Sequence, residues 1–180
     1  MQTGEGWRER MVAIDARPGS GAFIPVAGNQ PMDAAVPEAR RQAPVGTIVE
    51  TCPGAAAVVY EIAGRLNEQG GAALLIDYGH DELRDGSTLQ AVREHRMVDP
   101  FTMPGEADLT AQVDFATLAT IAQSRGVKWL GTVPQGRWLR ELGIEARTEA
   151  LATQAPQHAA ALRAARDRLI GEGQMGALFK

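Results

Sequence analysis

Residues 70–80 read Gly-Gly-Ala-Ala-Leu-Leu-Ile-Asp-Tyr-Gly-His. Within this stretch Ala72–Ile76 is continuously apolar rather than alternating, which is typical of a strand buried on both faces of a parallel sheet. The strand is followed at once by the polar residues Asp77, Tyr78 and His80. Ligands of open α/β sheets bind outside the carboxyl ends of the strands. We therefore predict that these three side chains lie where chemistry takes place.

A helix and a further strand are predicted on the amino-terminal side of this stretch. Cys52-Pro53-Gly54 opens the helix, because proline is tolerated in a first turn. Apolar residues then recur every three or four positions, and Gly70-Gly71 ends the helix. Thr47–Glu50 is short and β-branched, which predicts a strand or an extended lead-in. Strand, helix and strand make up a βαβ unit, so we expect an α/β fold with Thr47–Glu50 and Ala72–Ile76 as a parallel pair.

The remaining elements are less sharply defined. Residues 1–46 are predicted to form a β-hairpin and a loop lead-in, with strands at Trp7–Asp15 and Phe23–Val26 joined by a turn at Pro18–Gly21 and a loop over Gly28–Pro44. Residues 47–180 are predicted to form the main domain, with helical insertions at about 81–126 and 134–171. The further predicted elements are a helical turn at Thr88–Arg93, a helix from the N-cap Asp114 to about Arg125, a strand at Val127–Val133, helices at Pro134–Leu142, Ile144–Gln154 and Gln157–Ile170, and a strand at Leu178–Lys180.

Composition and charge exclude several classes of protein. The 180 residues are 44% hydrophobic and 22% charged, with a net charge of −4, so no basic face for a nucleic-acid backbone is expected. No apolar run is long enough to span a membrane, and the amino terminus has no secretory pattern. The single cysteine, Cys52, permits no disulfide within the chain and indicates a reducing compartment. We therefore expect a cytoplasmic protein.

Familiar catalytic motifs are absent from the sequence. It contains no Walker loop, HExxH, CxxC or GxSxG pattern, so a small α/β hydrolase is disfavoured. Gly19-Ser20-Gly21 fits a hairpin turn better than a phosphate-binding loop. His80, His95 and Asp77 lack a recognised metal-ligand spacing, and no metal is expected.

Several segments, taken in order, resemble one known family. They are WRER (Trp7–Arg10), IVE (Ile48–Glu50), GGAALLIDYGH (Gly70–His80), TLQAVREH (Thr88–His95), DP (Asp99-Pro100), PGEADLTAQVDF (Pro104–Phe115), QGRWLRELGI (Gln135–Ile144) and QMGALFK (Gln174–Lys180). The set resembles the C-terminal half of the MidA family. These are S-adenosylmethionine-dependent class I methyltransferases, known in mitochondria as complex I assembly factors that methylate a protein arginine.

The resemblance implies the C-terminal part of a Rossmann-like sheet with helical insertions. In the family, the first strands and the glycine-rich cofactor loop belong to an N-terminal half that these residues do not match, so we expect a truncated or split chain. A sheet without those strands would leave an apolar edge, which predicts self-association. The cofactor would be S-adenosylmethionine, the partner a protein carrying an acceptor arginine, and the location a bacterial cytoplasm.

The implied reaction, methyl transfer to an arginine nitrogen, selects candidate residues. Carboxylates can hold a planar guanidinium through paired hydrogen bonds. On the resemblance, catalytic roles are expected for Asp77, Tyr78, His80 and His95, and substrate binding for Glu50, Glu106, Asp108 and Thr110.

Each of these candidates has a structural alternative. Asp77 could cap backbone amides, and Tyr78 could be a partly buried aromatic with a satisfied hydroxyl. The two histidines could make structural hydrogen bonds, and Asp108 with Thr110 could shape a turn. The alternative for the whole chain is a non-catalytic module that binds a respiratory-complex subunit during assembly.

Overall fold

The computed structural model describes residues 1–17, 19–82 and 84–180. Its strands are β1 (Gln2–Thr3), β2 (Gly6–Ile14), β3 (Phe23–Pro31), β4 (Gly79–His80), β5 (Gln90–Arg93), β6 (Arg96–Val98), β7 (Asp108–Thr110) and β8 (Val113–Asp114). Its α-helices are α1 (Pro53–Gln69), α2 (Phe115–Ser124), α3 (Gln135–Glu141), α4 (Ile144–Gln154), α5 (Ala159–Ile170) and α6 (Met175–Leu178). Short 3-10 helices lie at Asp33–Ala35, Glu38–Arg40 and Pro156–His158.

The chain divides into two compact units. The first contains Met1–Cys52 and Arg84–Gln112, and the second contains Pro53–Leu83 and Val113–Lys180. The first unit is built mainly from antiparallel strands, and the second from helices around short strands and extended segments. The predicted division into residues 1–46 and 47–180 stays a prediction.

The first unit begins with the predicted hairpin. Strands β2 and β3 pair antiparallel from Ile14 opposite Phe23 to Arg8 opposite Pro31, with an irregularity between Arg8 and Arg10. Strand β3 runs on to Pro31, so the loop predicted from Gly28 begins later than expected. Proline at position 18, part of the predicted turn, lies outside the described residues. The hairpin is therefore confirmed, with a longer second strand.

The connection between β2 and β3 is held by Asp15. This carboxylate accepts hydrogen bonds from Arg17 Nε at 2.6 Å, from Arg17 N at 3.0 Å and from Ser20 Oγ at 2.8 Å. The Arg17 guanidinium, the Arg17 amide and the Ser20 hydroxyl together lower the pKa of Asp15 to about 2. All of these bonds stabilise the ionised carboxylate, so its charge supports the folded connection.

The lowered pKa predicts acid-sensitive stability for this hairpin. The unfolded carboxyl titrates at about 3.9, so the contribution of Asp15 is complete above that pH and is lost as the pH falls through about 2. An NMR titration of the Asp15 carboxyl carbon should give a midpoint at about 2. Asp15→Asn should remove this part of the pH dependence. A midpoint near the unfolded value would contradict the prediction.

The second sheet of the first unit corrects one sequence-based prediction, and a neighbouring segment decides between two others. Residues 88–93 were predicted to form a helical turn, but Gln90–Arg93 is the central strand between β6 and β7. Fully buried Ala91 pairs with Val98 and with Leu109, and pairing on both sides outweighs the local pattern. Of the two alternatives predicted for Thr47–Glu50, a strand or an extended lead-in, the structure has the second. That segment is an extended lead-in, tied by the Gly86 amide to the Ile48 carbonyl at 2.9 Å.

The second unit contains the predicted helices α1 and α2, which pack together. Val59 and Ala63 of α1 and Leu118 and Ala122 of α2 form a buried core cluster. Both helix boundaries agree with the sequence-based prediction, since α1 spans Pro53–Gln69 and α2 ends at Ser124. The N-cap role of Asp114 is confirmed, because its Oδ1 accepts from the Thr117 amide at 3.0 Å.

Two apolar segments of the second unit, Ala72–Ile76 and Val127–Val133, are extended but pair with no strand in the described part of the chain. Leu75 packs on the core cluster, whereas its neighbours Leu74 and Ile76 are 66% and 53% exposed. Trp129 packs on the same cluster, and Leu130 is 83% exposed. The predictions of a strand at Ala72–Ile76 buried on both faces, of its parallel pairing with Thr47–Glu50, and of a strand at Val127–Val133 were therefore wrong. Helices cover only one face of each segment.

The parallel pair of the second unit lies just after the first of these segments. Gly79 and His80 of β4 pair with Val113 and Asp114 of β8. On the other side of β4, Tyr78 forms an isolated antiparallel bridge with Phe179. The strand predicted at Leu178–Lys180 is therefore only partly present, because Leu178 ends helix α6. The polar end of Gly70–His80 is thus paired with β8 on one side and with Phe179 on the other.

The helices after residue 134 agree with the sequence-based prediction. Helices α3, α4 and α5 occupy the predicted positions, and the last two are joined by an ion pair. Glu149 of α4 accepts from Arg163 of α5 at 3.0 and 2.6 Å, and this interaction lowers the pKa of Glu149. Among the described residues, no helix has the length and apolar character that crossing a membrane requires.

Candidate functional site

The best-positioned candidates form a short rim, Asp77–His80, at the carboxyl end of the extended segment Ala72–Ile76. Backbone pairing fixes this rim on two sides. The Asp77 carbonyl accepts from the Lys180 amide at 2.9 Å, and the Tyr78 carbonyl accepts from the Val113 amide at 3.0 Å. The rim is therefore held by the last residues of the chain on one side and by the start of α2 on the other.

The side chains of Asp77 and Tyr78 differ in the partners that they already have within the chain. Asp77 is exposed, and its Oδ1 accepts from the Tyr78 amide at 2.8 Å. Its second carboxylate oxygen has no partner in the described part of the chain. The half-buried Tyr78 ring packs edge-on against Phe179, with ring centroids 5.7 Å apart. Asp77 thus both caps an amide and offers a free acceptor, and Tyr78 is positioned by an aromatic contact.

His80 completes the rim, and Gly79 makes its geometry possible. His80 is half-buried, and its Nδ1 lies 2.7 Å from the Glu82 carbonyl oxygen, while Nε2 has no hydrogen-bond partner among the residues that the structure describes. Gly79 is buried, and an added Cβ there would overlap the Val113 carbonyl oxygen. Only glycine allows β4 and β8 to approach this closely. The rim carries a carboxylate, an aromatic ring and an imidazole within four consecutive residues.

The predicted substrate-binding residues lie in the first unit. Glu106 forms an ion pair with Arg93 at 3.0 Å. Asp108 and Thr110 belong to β7 and pair with Val92 and Gln90 of β5. Glu94, Glu106 and Asp108 line an open hollow of about 410 Å³. The hollow therefore carries several carboxylates, of which one is neutralised by Arg93.

Both carboxylate oxygens of Glu50 already accept hydrogen bonds from residues of the first unit. Its carboxylate accepts from Ser87 Oγ at 2.9 Å, from Thr88 N at 2.9 Å and from Thr88 Oγ1 at 2.5 Å. The Gln112 amide in turn donates to Thr88 Oγ1 at 2.9 Å. Ser87, Thr88 and Gln112 were not among the residues singled out from the sequence. No motif or spacing indicates this group, because Ser87 lies 37 residues from Glu50 and Gln112 lies 24 residues from Thr88 along the chain.

His95 lies in a hairpin turn rather than in a pocket. It is exposed and occupies, with Glu94, the turn between β5 and β6, where Arg93 pairs with Arg96. Both turn residues have positive φ, 51° for Glu94 and 62° for His95. Such two-residue turns favour Asn-Gly, so the observed residues cost stability.

Replacing the turn residues tests whether His95 has a further role. The double variant Glu94→Asn/His95→Gly should raise the free energy of unfolding by about 1 kcal/mol, because both replacements tolerate positive φ. Thermal or urea unfolding measures this change. A lower stability would contradict the geometric argument. Loss of ligand binding in a variant that is more stable would indicate a functional His95.

The candidates fall into separate groups. Asp77, Tyr78 and His80 belong to the second unit, and His95, Glu50, Glu106, Asp108 and Thr110 to the first. Their assignment as catalytic or substrate-binding residues stays a prediction. Within the described ranges 1–17, 19–82 and 84–180, no group of three or more His, Cys, Asp or Glu side chains is arranged to hold a metal ion.

Comparison with known proteins points to one family. The model of a family described as putative S-adenosyl-L-methionine-dependent methyltransferases matches residues 1–133. The chain is 38% identical to the rat protein named protein arginine methyltransferase NDUFAF7, mitochondrial, over 99% of this chain and 40% of that protein. It is 33% identical to the human protein of the same name, with the same coverage. The chain thus spans about two fifths of the length of these curated relatives.

Solved structures from Burkholderia thailandensis are also similar. The native structure of an uncharacterized protein matches with a TM-score of 0.79 and 32% identity, over 99% of this chain and 48% of that chain. A member of the same superfamily bound to S-adenosyl-homocysteine matches with a TM-score of 0.76 and 31% identity, over 99% of this chain and 47% of that chain. The predicted α/β class is confirmed by this likeness.

The relatives correct the expected location. A bacterial cytoplasmic protein was expected from the single cysteine and the absence of a secretory pattern. The curated relatives from rat, zebrafish and human are instead named as mitochondrial proteins. A reducing compartment therefore does not identify the cytoplasm, and that expectation was wrong.

Proposed function

Because the chain belongs to the family of putative S-adenosyl-L-methionine-dependent methyltransferases, we propose that it takes part in methyl transfer from S-adenosylmethionine to an arginine of a protein substrate. The observation that carries this proposal is the likeness to the solved structure bound to S-adenosyl-homocysteine, which extends over 99% of this chain. That ligand is what remains of S-adenosylmethionine after its methyl group has left. The arginine acceptor is supported by the printed names of the rat and human relatives.

The rim Asp77–His80 fits a role beside the reacting groups. The second oxygen of Asp77 is exposed and has no partner in the described part of the chain, so it can accept a hydrogen bond from a guanidinium. A carboxylate there also favours a cationic substrate. His80 keeps Nε2 available to take a proton, since Nδ1 is engaged with the Glu82 carbonyl. Tyr78 would form one wall of the site.

The chemistry that the donor supplies is a methyl group on a sulfonium. An arginine nitrogen forms the new bond to the methyl carbon while the carbon–sulfur bond breaks and its electron pair stays on sulfur. The methylated guanidinium then gives up the proton that its nitrogen carried. Such a displacement depends mainly on positioning, so the chain's contribution is to orient the guanidinium and accept that proton.

The carboxylates of the first unit are proposed as contacts for the rest of the protein substrate. Glu106 and Asp108, beside the hollow lined by Glu94, would attract basic residues of the protein substrate. Thr110 at the end of β7 could add a hydroxyl contact. Glu50 is proposed to shape the adjacent loop instead of binding substrate directly, because Ser87 and Thr88 already use both of its oxygens.

A second candidate function is a non-catalytic module that binds a respiratory-complex subunit. Its support is the open hollow lined by Glu94, Glu106 and Asp108, whose carboxylates suit a basic protein surface. We propose in addition that the glycine-rich cofactor loop belongs to the part of the family fold that these 180 residues do not match. Both candidate functions predict binding to a protein, but only the first predicts a site for the methyl donor.

Calorimetric titration with S-adenosylmethionine tests the proposal. The 180-residue chain by itself should bind weakly, with a dissociation constant of roughly 1 mM or more, because a pocket with one wall buries little of a ligand. Asp77→Ala should weaken this binding further, because the same carboxylate would also attract the positively charged sulfonium of the donor. Glu172→Ala in an exposed turn should leave the binding unchanged. Tight binding in a 1:1 ratio would contradict the proposal that these residues supply only one wall of the donor pocket. Binding that Asp77→Ala does not alter would contradict the role of the rim.

A further inference from the structure

The hollow of the first unit already holds one guanidinium, that of Arg93. Its Nη1 lies 3.0 Å from Glu106 Oε2 and donates to Met103 Sδ at 2.9 Å. The Arg93 side chain is 36% exposed, and the Glu106 side chain is 56% exposed. The guanidinium is therefore held at the wall of the hollow by two partners, while part of it stays open to solvent.

The other two carboxylates of the hollow have no such partner. The side chains of Glu94 and Asp108 make no ion pair or hydrogen bond within the described part of the chain. Among the described residues, Arg93 is the one cation in the lining of the hollow. Two carboxylates are thus available to a cationic ligand, and the third, that of Glu106, is occupied by the chain itself.

Arg93 also has a like charge as its cross-strand partner. It pairs with Arg96 of β6, and like charges directly opposite each other destabilise a strand pair. The ion pair with Glu106 offsets this repulsion on one side only. Arg96 is exposed and is not part of the lining of the hollow. The two arginines therefore carry the same charge on the same strand pair, but only Arg93 contacts a carboxylate of the hollow.

We propose that Arg93 is an internal competitor for an arginine-bearing segment of the protein substrate, and that it determines how tightly the hollow binds that segment. The inference rests on the proposed function, in which carboxylates of the first unit contact a basic substrate. An incoming guanidinium has the same charge and the same planar set of donors as Arg93, so both compete for Glu106. Binding at Glu106 therefore exchanges one exposed ion pair for another, and the net gain comes from Glu94 and Asp108.

A peptide titration of the full chain, followed by NMR, tests this competition. The probe is acetyl-Gly-Arg-Gly-Arg-Gly-amide, and the matched neutral probe carries citrulline in place of both arginines. Arg93→Gln should bind the arginine probe about 5-fold more tightly than the unsubstituted chain, which is the factor that one exposed ion pair can supply. The amide signals of Glu94, Glu106 and Asp108 should report the binding, and the citrulline probe should leave them in place.

Three further variants separate competition from a general effect of charge. Arg96→Gln removes the same charge from the same strand pair outside the hollow, so it should change the affinity by less than about 2-fold. Arg93→Lys keeps the competing cation and should bind the probe about as weakly as the unsubstituted chain. In a Glu106→Gln chain there is no carboxylate to compete for, so adding Arg93→Gln should give no larger gain than adding Arg96→Gln.

Several outcomes would overturn the inference. Equal gains from Arg93→Gln and Arg96→Gln, in variants whose circular dichroism shows intact helices, would exclude competition by Arg93 and leave the proposed function in place. A full gain from Arg93→Gln in the Glu106→Gln chain would exclude competition at that carboxylate. Equal binding of both probes, or of neither, would overturn the inference together with the proposed role of the hollow. The donor titration concerns Asp77–His80, so its failure would count against methyl transfer alone.

Discussion

Replacing Gly79 with alanine is expected to destabilise the second unit by about 3 kcal/mol, because the new Cβ would overlap the Val113 carbonyl oxygen. The obstruction is backbone rather than a flexible side chain, so β4 and β8 must separate to relieve it. Their parallel pairing, Gly79 with Val113 and His80 with Asp114, would be lost. For a chain of this length the change corresponds to a fall in melting temperature of roughly 6–12 °C.

The same substitution should also displace the proposed rim. Tyr78 and His80 lie on either side of Gly79, and the Tyr78 carbonyl depends on the Val113 amide that moves with β8. Gly173→Ala is the matched control, because a Cβ at that position meets no atom within 4 Å and its φ is not positive. Thermal unfolding of both variants gives the comparison. A Gly79→Ala protein as stable as the control would show that β4 and β8 are not held in this close approach.

Gly176→Ala should destabilise the chain by a similar amount, about 3 kcal/mol, at the junction of three helices. An added Cβ would overlap the Ile170 carbonyl at the end of α5. On the neighbouring helix α3, a Cβ added at Gly136 would lie 2.6 Å from the same carbonyl and 3.1 Å from the Gly176 Cα. The two glycines thus let α3, α5 and α6 meet through their backbones.

This junction determines where the end of the chain lies. Helix α6 leads directly into Phe179, which pairs with Tyr78, so a displaced α6 would also move this bridge. Urea unfolding of Gly176→Ala beside Gly173→Ala, followed by circular dichroism, measures the loss of stability. A change within 0.5 kcal/mol of the control, about the range for an ordinary surface substitution, would contradict the close packing.

The sequence predicted the helices of this protein well. Helical spacing and end signals located α1, α2, α4 and α5 to within a few residues, and the N-cap role of Asp114 was identified from its residue type. These signals are local, since a cap and an apolar stripe act within one or two turns. The hairpin of β2 and β3 was predicted for the same reason, because its strands are neighbours along the chain.

The strands of the sheet could not be predicted in the same way. Ala72–Ile76 has the composition of a central strand, but strand pairing depends on partners that composition does not specify. Strand β5, Gln90–Arg93, lies between β6 and β7, and no local pattern shows this pairing. The contacts of Glu50 with Ser87 and Thr88 join residues 37 and 38 positions apart and were likewise unpredictable.

The candidate site was predicted in part. The polar residues after the apolar segment do lie at its carboxyl end, where backbone pairing fixes Asp77 and Tyr78. The position of His95 in a turn required the pairing of Arg93 with Arg96, which its sequence neighbours did not indicate. The sequence therefore predicted where the polar residues after Ile76 lie. It did not predict which residues surround the candidates, because those contacts join distant parts of the chain.

The central claim is that Asp77–His80 forms one wall of the methyl-donor site. The most direct measurement is an NMR titration of the isotope-labelled chain with millimolar S-adenosyl-homocysteine, the ligand of the solved relative. The amide signals of Asp77, Tyr78, Gly79 and His80 should shift together, and those of Glu94 and Glu106 at the hollow should stay in place. Unchanged rim signals at saturating ligand, or shifts confined to the hollow, would contradict the claim.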